Sequence, residues 1–193
     1  MRVKEAVMTA NRLYWISIVV TAVALSPASA TFARAESTAG EARIAQCIRA
    51  AAGGRQWLER TLWGLRDQEG GWIGAEVKNS DGSHDLGPLQ VNSWWVGKIA
   101  SMTGRSPEII RWWLANDACF NVDAARWIFL SGLHATGDYW KAIGKYHSPT
   151  LWRQRRYANA VSEHLRRRFG ANLFSRRAGV TGPSPIFDTR SKD

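Results

Sequence analysis

The residues best suited to chemistry lie between Asp67 and Asn92. A single glutamate, Glu69, is followed at once by Gly70-Gly71 and then by a polar, glycine-rich excursion, Asn79-Ser80-Asp81-Gly82-Ser83-His84. The excursion returns through Asp85-Leu86-Gly87-Pro88-Leu89-Gln90-Val91-Asn92. A carboxylic acid hands a proton to a leaving oxygen near neutral pH only if its pKa is raised, most simply by an apolar pocket. Leu65 precedes Glu69 by one helical turn, Trp72 follows it, and Leu86, Pro88 and Leu89 lie across the excursion, so the material for such a pocket is present. Glycines at 70 and 71 leave space for a ligand close to the backbone. An isolated glutamate at a helix end is ordinarily a solvated charge. Asp85 is the second carboxylate of interest. Pointing across a cleft it would supply the partner that a retaining glycosidase needs at about 5–5.5 Å. Bonded to its own loop it is structural. Asp81 and Glu76 read as solvated loop charges.

The elements that must position these groups are mostly helical. A helix is expected over Glu41–Ala52, ended by Gly53-Gly54, and a second over Arg55–Gln68, with Trp57, Leu58, Thr61, Leu62 and Leu65 on one face. Periodicity vanishes from Trp72 to Asp85, where Asn79-Ser80-Asp81-Gly82-Ser83 is turn chemistry and short strands flank it. Pro88 suits the first turn of a helix carried by Leu89, Val91, Trp94, Trp95, Ile99 and Met102. Ser106-Pro107-Glu108 is a start signal for the next helix, and Asn121 is expected to cap the one after. A short helix is expected over Asp138–Tyr146. Ser148-Pro149 then opens a long basic helix through Tyr157, Val161 and Leu165 to Gly170. The expected fold class is therefore mainly α, about seven helices with one small irregular or β-containing insertion, and Glu69 stands at the mouth of that insertion.

Glu69-Gly70-Gly71, Asn79, Asp81-Gly82-Ser83 and the block from Asp85 to Asn92 together resemble the catalytic region of lytic transglycosylases of the soluble (SLT) type, which share the lysozyme-like fold. Cys119-Phe120-Asn121-Val122, Ala142 to Thr150 and Tyr157-Ala158 resemble the branch that accompanies secretion and conjugation machines. The similarity spans about residues 43–168. It implies that Glu69 is the single catalytic acid/base, cleaving the bond between N-acetylmuramic acid and N-acetylglucosamine in peptidoglycan. The muramoyl 6-hydroxyl would attack the anomeric carbon and leave a 1,6-anhydro ring, so neither an enzyme nucleophile, a cofactor nor a metal is called for. Gln90 matches a substrate-contacting Gln and Tyr146 the Tyr near the acid. Asp85, Asn92 and His147 complete the expected substrate contacts. Two positions depart from the pattern: Gly70 stands where most of the family has Ser, and His147 where it has Asn. Asp85-Leu86-Gly87 with Gln90-Val91-Asn92-Ser93 also resembles the animal-type lysozyme segment that carries a second carboxylate, which keeps hydrolysis by Glu69 and Asp85 open as the alternative. A non-catalytic wall-binding or assembly protein is a further one.

Composition bounds the setting. Arg2, Lys4 and Arg12 precede a 13-residue apolar run, Leu13–Leu25, followed by Ser26-Pro27-Ala28-Ser29-Ala30. These are the three parts of a secretory signal peptide, with cleavage after Ala30 or Ala35. The run is short of the about 20 apolar residues that cross a bilayer, so no membrane span is expected after processing. The expected organisation is a signal peptide over 1–30, a flexible segment over 31–40, the enzyme domain over 41–170 and a basic mobile tail over 171–193. The location would be periplasmic or secreted, with peptidoglycan glycan strands and a secretion, conjugation or pilus machine as partners. Cys47 and Cys119 are the two cysteines, one possible disulfide in an oxidising compartment or else two buried thiols. Eleven Trp exceed ordinary usage, and a few are expected to line a groove where flat sugar faces stack on indoles. The net charge of +10 is concentrated late, with eight Arg and one acid, Glu163, between Trp152 and Arg177. Such a surface attracts anionic partners. Export and the lack of a recognisable motif argue against nucleic acid.

Overall fold

Helices form where the apolar residues recur at helical spacing, and the three short strands form where that spacing lapses. The computed structural model describes residues 27–174, with side chains from residue 37. In chain order the elements are α1 (Pro27–Ala52), α2 (Gln56–Glu69), β1 (Glu76–Lys78), β2 (His84–Leu86), β3 (Val91–Asn92), α3 (Trp95–Thr103), α4 (Pro107–Asn116), α5 (Ala118–Thr136), α6 (Tyr139–His147) and α7 (Leu151–Phe169). A 3-10 turn, Ala171–Phe174, follows α7. The fold is mainly α with a small antiparallel β insertion, as the periodicity implies.

Helix α5 is the hub, packing against α1, α4 and α6, while α7 lies along α2 and α6. The core between them is built from fully buried aliphatic side chains, among them Ile44, Ile48, Leu58, Leu62, Leu65, Leu114, Ile143 and Leu165, with Phe129. Cys47 of α1 and Cys119 in the first turn of α5 form a disulfide, Cα–Cα 4.8 Å, across a sequence separation of 72. A crosslink of that span is worth about 2–4 kcal/mol. No helix among the described residues is long and apolar enough to cross a membrane, and no cluster of three or more His, Cys, Asp or Glu among them is arranged to hold a metal ion.

The sheet runs β1-β2-β3, with Val77 opposite Asp85, and Asp85 in turn opposite Asn92. Asp81 is not merely a solvated charge. Its carboxylate accepts from the Ser83 amide at 2.9 Å and the Ser83 hydroxyl at 2.7 Å, closing the β1–β2 turn, and these bonds hold its pKa below the usual carboxylate range. Glu76 likewise has a partner, the guanidinium of Arg111 on α4.

Several boundaries differ from expectation. The described part of the segment 31–40 is helical, because α1 reaches back to Pro27; Ala33, Ala35 and Ala39 supply helix propensity that the small polar composition conceals. The expected signal peptide lies outside the described residues up to residue 26, and residues 27–30 open α1. Pro88 does not start a helix; it sits in the turn between β2 and β3, and α3 begins at Trp95. Proline suits both places because its fixed φ fits a turn as well as a first helical turn. The caps are Ser106 for α4, accepting from the Ile109 amide, Asp117 for α5 and Asp138 for α6. The Asp117 carboxylate accepts from the amides of both Cys119 and Phe120, which displaces Asn121 from the cap. Thr150, not Ser148, precedes α7, and Ser148 closes α6 instead. In the expected tail, Ala171–Phe174 packs on the domain, Phe174 meeting the Trp140 ring at 5.3 Å; residues 175–193 lie outside the described part.

Candidate active site

Glu69 is the last residue of α2, where Gly70 takes the left-handed conformation (φ 61°) and returns its amide to the Arg66 carbonyl at 3.0 Å. A Cβ at Gly70 would have no neighbour within 4 Å, so positive φ rather than space calls for glycine there. Gly71 differs. A Cβ on it would lie 2.3 Å from the Gly87 carbonyl oxygen and 2.7 Å from Gln90 Nε2. The room at Gly71 is thus filled by the chain's own 87–90 turn, not left for a ligand.

The environment of Glu69 matches an acid held ready. Burial raises its pKa from 4.5 to about 7, the hydroxyl of Tyr157 partly counteracts this by donating to Oε1, and the negative charge of Asp85 adds to the rise. Tyr157 comes from the middle of α7, is buried, and has its own pKa pushed well above 10 by burial and by the Glu69 charge. It therefore stays a donor at every pH of interest. The His147 ring stacks flat on Tyr157, centroids 4.6 Å apart and planes 4° apart, with Tyr146 nearby at 6.4 Å. Desolvation lowers the His147 pKa, Asp85 opposes the drop and Arg153 adds to it. The imidazole is accordingly neutral near pH 7.

The other expected contacts divide. The Tyr146 hydroxyl, its pKa pushed well up by burial, donates to the Leu89 carbonyl at 2.7 Å; the residue that bonds Glu69 is Tyr157. Gln90 is the only non-glycine among the described residues with positive φ (46°), and its Nε2 donates to the Gly87 carbonyl at 2.8 Å. Its amide oxygen is left for other partners. Both protons of the Asn92 amide are used, on Ser83 Oγ and Asp85 Oδ1, each at 2.9 Å, and its oxygen accepts from the Trp94 amide. Asn92 thus holds the loop together. Asp85 is near enough for its charge to act on Glu69, yet one of its oxygens is tied to Asn92. Of the eleven Trp, Trp72 (60% exposed) directly follows the Gly70-Gly71 pair and Trp94 (71% exposed) lies two residues after Asn92, so exposed indoles flank the loop at both ends in sequence.

The site wall is fastened by Asn121. This fully buried side chain accepts from the Leu89 amide at 2.9 Å and donates to the carbonyls of Leu86 and Leu114, both at 2.8 Å. Gly87 makes the approach possible, since a Cβ on it would lie 2.1 Å from the Leu114 oxygen and 2.6 Å from Asn121 Nδ2. In the sequence Tyr157 stands on the apolar stripe of α7 and Asn121 at a helix start, and both fall in blocks of the resemblance, but neither is given its role in the site. The available signals were a tyrosine interrupting an arginine-rich helix and a second capping candidate four residues after Asp117.

No protein-family model matches the chain. The chain is 28% identical over 111 residues to invasion protein IagB of Salmonella typhimurium and of Salmonella typhi, an alignment covering 55% of this chain. It spans 66% of the length of those relatives.

Proposed function

We propose that this chain is an exported peptidoglycan lytic transglycosylase with a lysozyme-like domain, in which Glu69 is the general acid and then the general base. The observation that carries the reading is a glutamate at the end of α2 that accepts from the buried Tyr157 hydroxyl and whose pKa burial pushes up to about 7. Protonated Glu69 donates to the oxygen leaving N-acetylmuramic acid. The carboxylate so formed is stabilised by the Tyr157 hydroxyl, and it next accepts the proton of the muramoyl 6-hydroxyl as that oxygen closes on the anomeric carbon. The glycosidic bond breaks, the 1,6-anhydro bond forms, Glu69 regains its proton and no water is consumed. The bond that the Asn92 amide donates to Asp85 favours a supporting role for Asp85, raising the Glu69 pKa by its charge, over a nucleophilic one. The likeness to proteins named for invasion agrees with periplasmic or extracellular work beside a secretion, conjugation or pilus apparatus.

Mass spectrometry of digested peptidoglycan tests the chemistry. Anhydromuramoyl ends are expected; products heavier by one water would instead assign hydrolysis by Glu69 and Asp85, and binding without cleavage a non-catalytic role.

Tyr157 gives a second measurement. Its hydrogen bond lowers the Glu69 pKa, so Tyr157→Phe should move the basic limb of the pH–rate profile upward from about 7. Losing a hydrogen bond to a charged group costs about 1.5–3 kcal/mol, so the rate should fall on the order of tenfold or more. An unmoved limb would detach Tyr157 from the acid.

A further inference from the structure

Helix α7 carries the second wall of the site, and its first two turns hold charge that the chemistry above does not use. Arg153 and Tyr157 are four residues apart and so share a face of the helix. Tyr157 meets Glu69 from that face. Arg153 therefore lies one turn further out, past the end of α2, and its charge acts on His147, whose ring covers Tyr157. The guanidinium of Arg153 lies 5.3 Å from the centroid of the Trp152 ring, which is 61% exposed. Trp152 and Arg156 are again four residues apart on a neighbouring face. Among the described residues, neither Arg153 nor Arg156 forms an ion pair with a carboxylate, and the same holds for Arg155 and Arg167 of this helix, whereas Arg166 and Arg168 near its end are paired. The first turn of α7 contains no acidic residue. Exposed, unpaired guanidiniums beside an indole form a lip that suits carboxylates carried on a polymer with apolar groups between them.

We propose that Arg153, Arg156 and Trp152 form an anion-binding lip on the cleft, which takes the carboxylates of the peptides attached to the muramoyl sugars. The preferred substrate is then peptide-bearing glycan rather than glycan stripped of its peptides. This rests on the muralytic reading of Glu69 but goes beyond it, because Glu69 reads only the sugar backbone.

Two soluble glycan preparations test the lip, one bearing peptides and the same one after amidase treatment. Cleavage by the parent protein should show about a tenfold higher kcat/KM on the peptide-bearing form, carried by KM and reduced as salt rises, since exposed charges are screened within about 10 Å at 0.1 M salt. In Arg153→Gln/Arg156→Gln the ratio of the two kcat/KM values should fall to near one, and Arg153→Lys/Arg156→Lys should restore most of it. Equal kcat/KM values for the parent, or a ratio that survives loss of both arginines, would overturn the proposal. Binding of both glycans to Glu69→Gln, measured alongside, separates it from the muralytic reading. A binding preference without cleavage by the parent upholds the lip and defeats the enzyme assignment. Cleavage without preference does the reverse.

Discussion

Glu69→Gln should reduce peptidoglycan cleavage by about 10²–10⁴-fold or more, the share that general acid–base catalysis contributes, while making the folded protein more stable at neutral and alkaline pH. The two effects have one cause. Burial lifts the folded-state pKa from 4.5 to about 7, which means that the fold favours the protonated acid. Below pH 4.5 both the folded and unfolded forms are protonated, and the group has no stability cost. Between pH 4.5 and 7 the unfolded chain releases the proton while the folded chain retains it, so stability falls as pH rises; above 7 the loss is complete. A displacement of this size corresponds to about 3 kcal/mol. Glutamine keeps the shape and still accepts from Tyr157, but it never ionises. Thermal unfolding at pH 8 should therefore show the variant melting about 5–10 °C above the parent, with the gap closing by pH 4.5. A variant that loses activity without gaining this pH-dependent stability would mean that Glu69 is not buried as an acid.

Asn121→Ala should be among the most damaging single changes in the domain, although Asn121 makes no bond to Glu69. It leaves the Leu89 amide and the carbonyls of Leu86 and Leu114 without their buried partner. Each orphaned group costs about 1–3 kcal/mol, so a loss of about 3–5 kcal/mol is expected against a typical total of about 5–15. Asn121→Asp is the sharper comparison. It preserves size and the bond from Leu89, but turns an oxygen toward two carbonyl oxygens. Denaturant unfolding should show it as destabilised as Ala near pH 7. A cost below about 1 kcal/mol for both variants would mean that water or a shifted backbone replaces the bonds.

The helix end at Glu69 and the loop after it were legible in the sequence because both are written in glycine. Gly70 marks the end of α2, Asn79 to Ser83 can do little except turn, and the apolar spacing on either side delimits the helices. What escaped the sequence depends on distance along the chain. Tyr157 reaches Glu69 across 88 residues, and its spacing with Val161 and Leu165 is that of any buried helix stripe. Asn121 follows Asp117 closely, but the Cys119 and Phe120 amides take Asp117 as the cap of α5 and leave Asn121 to three backbone groups contributed by other elements. Gln90 and Asn92 were read as substrate contacts, yet the loop uses most of their hydrogen-bonding capacity itself. The reading of Gly71 failed for a similar reason: the sequence shows a missing side chain but not which atoms fill the gap.

The first turn of α5 joins two fastenings two residues apart, the Cys119 sulfur that holds α1 and the Asn121 amide that holds the 86–89 turn. Segments remote in sequence are thus moored to one point. Opening of the 86–89 turn and undocking of the N-terminal helix are then expected to be coupled through that one helical turn. In hydrogen exchange, the amides of Leu89 and of α1 around Cys47 would belong to one unit of local unfolding, slow together in the oxidised protein. Oxidative folding and assembly of the wall beside Glu69 would then reach completion in the same step.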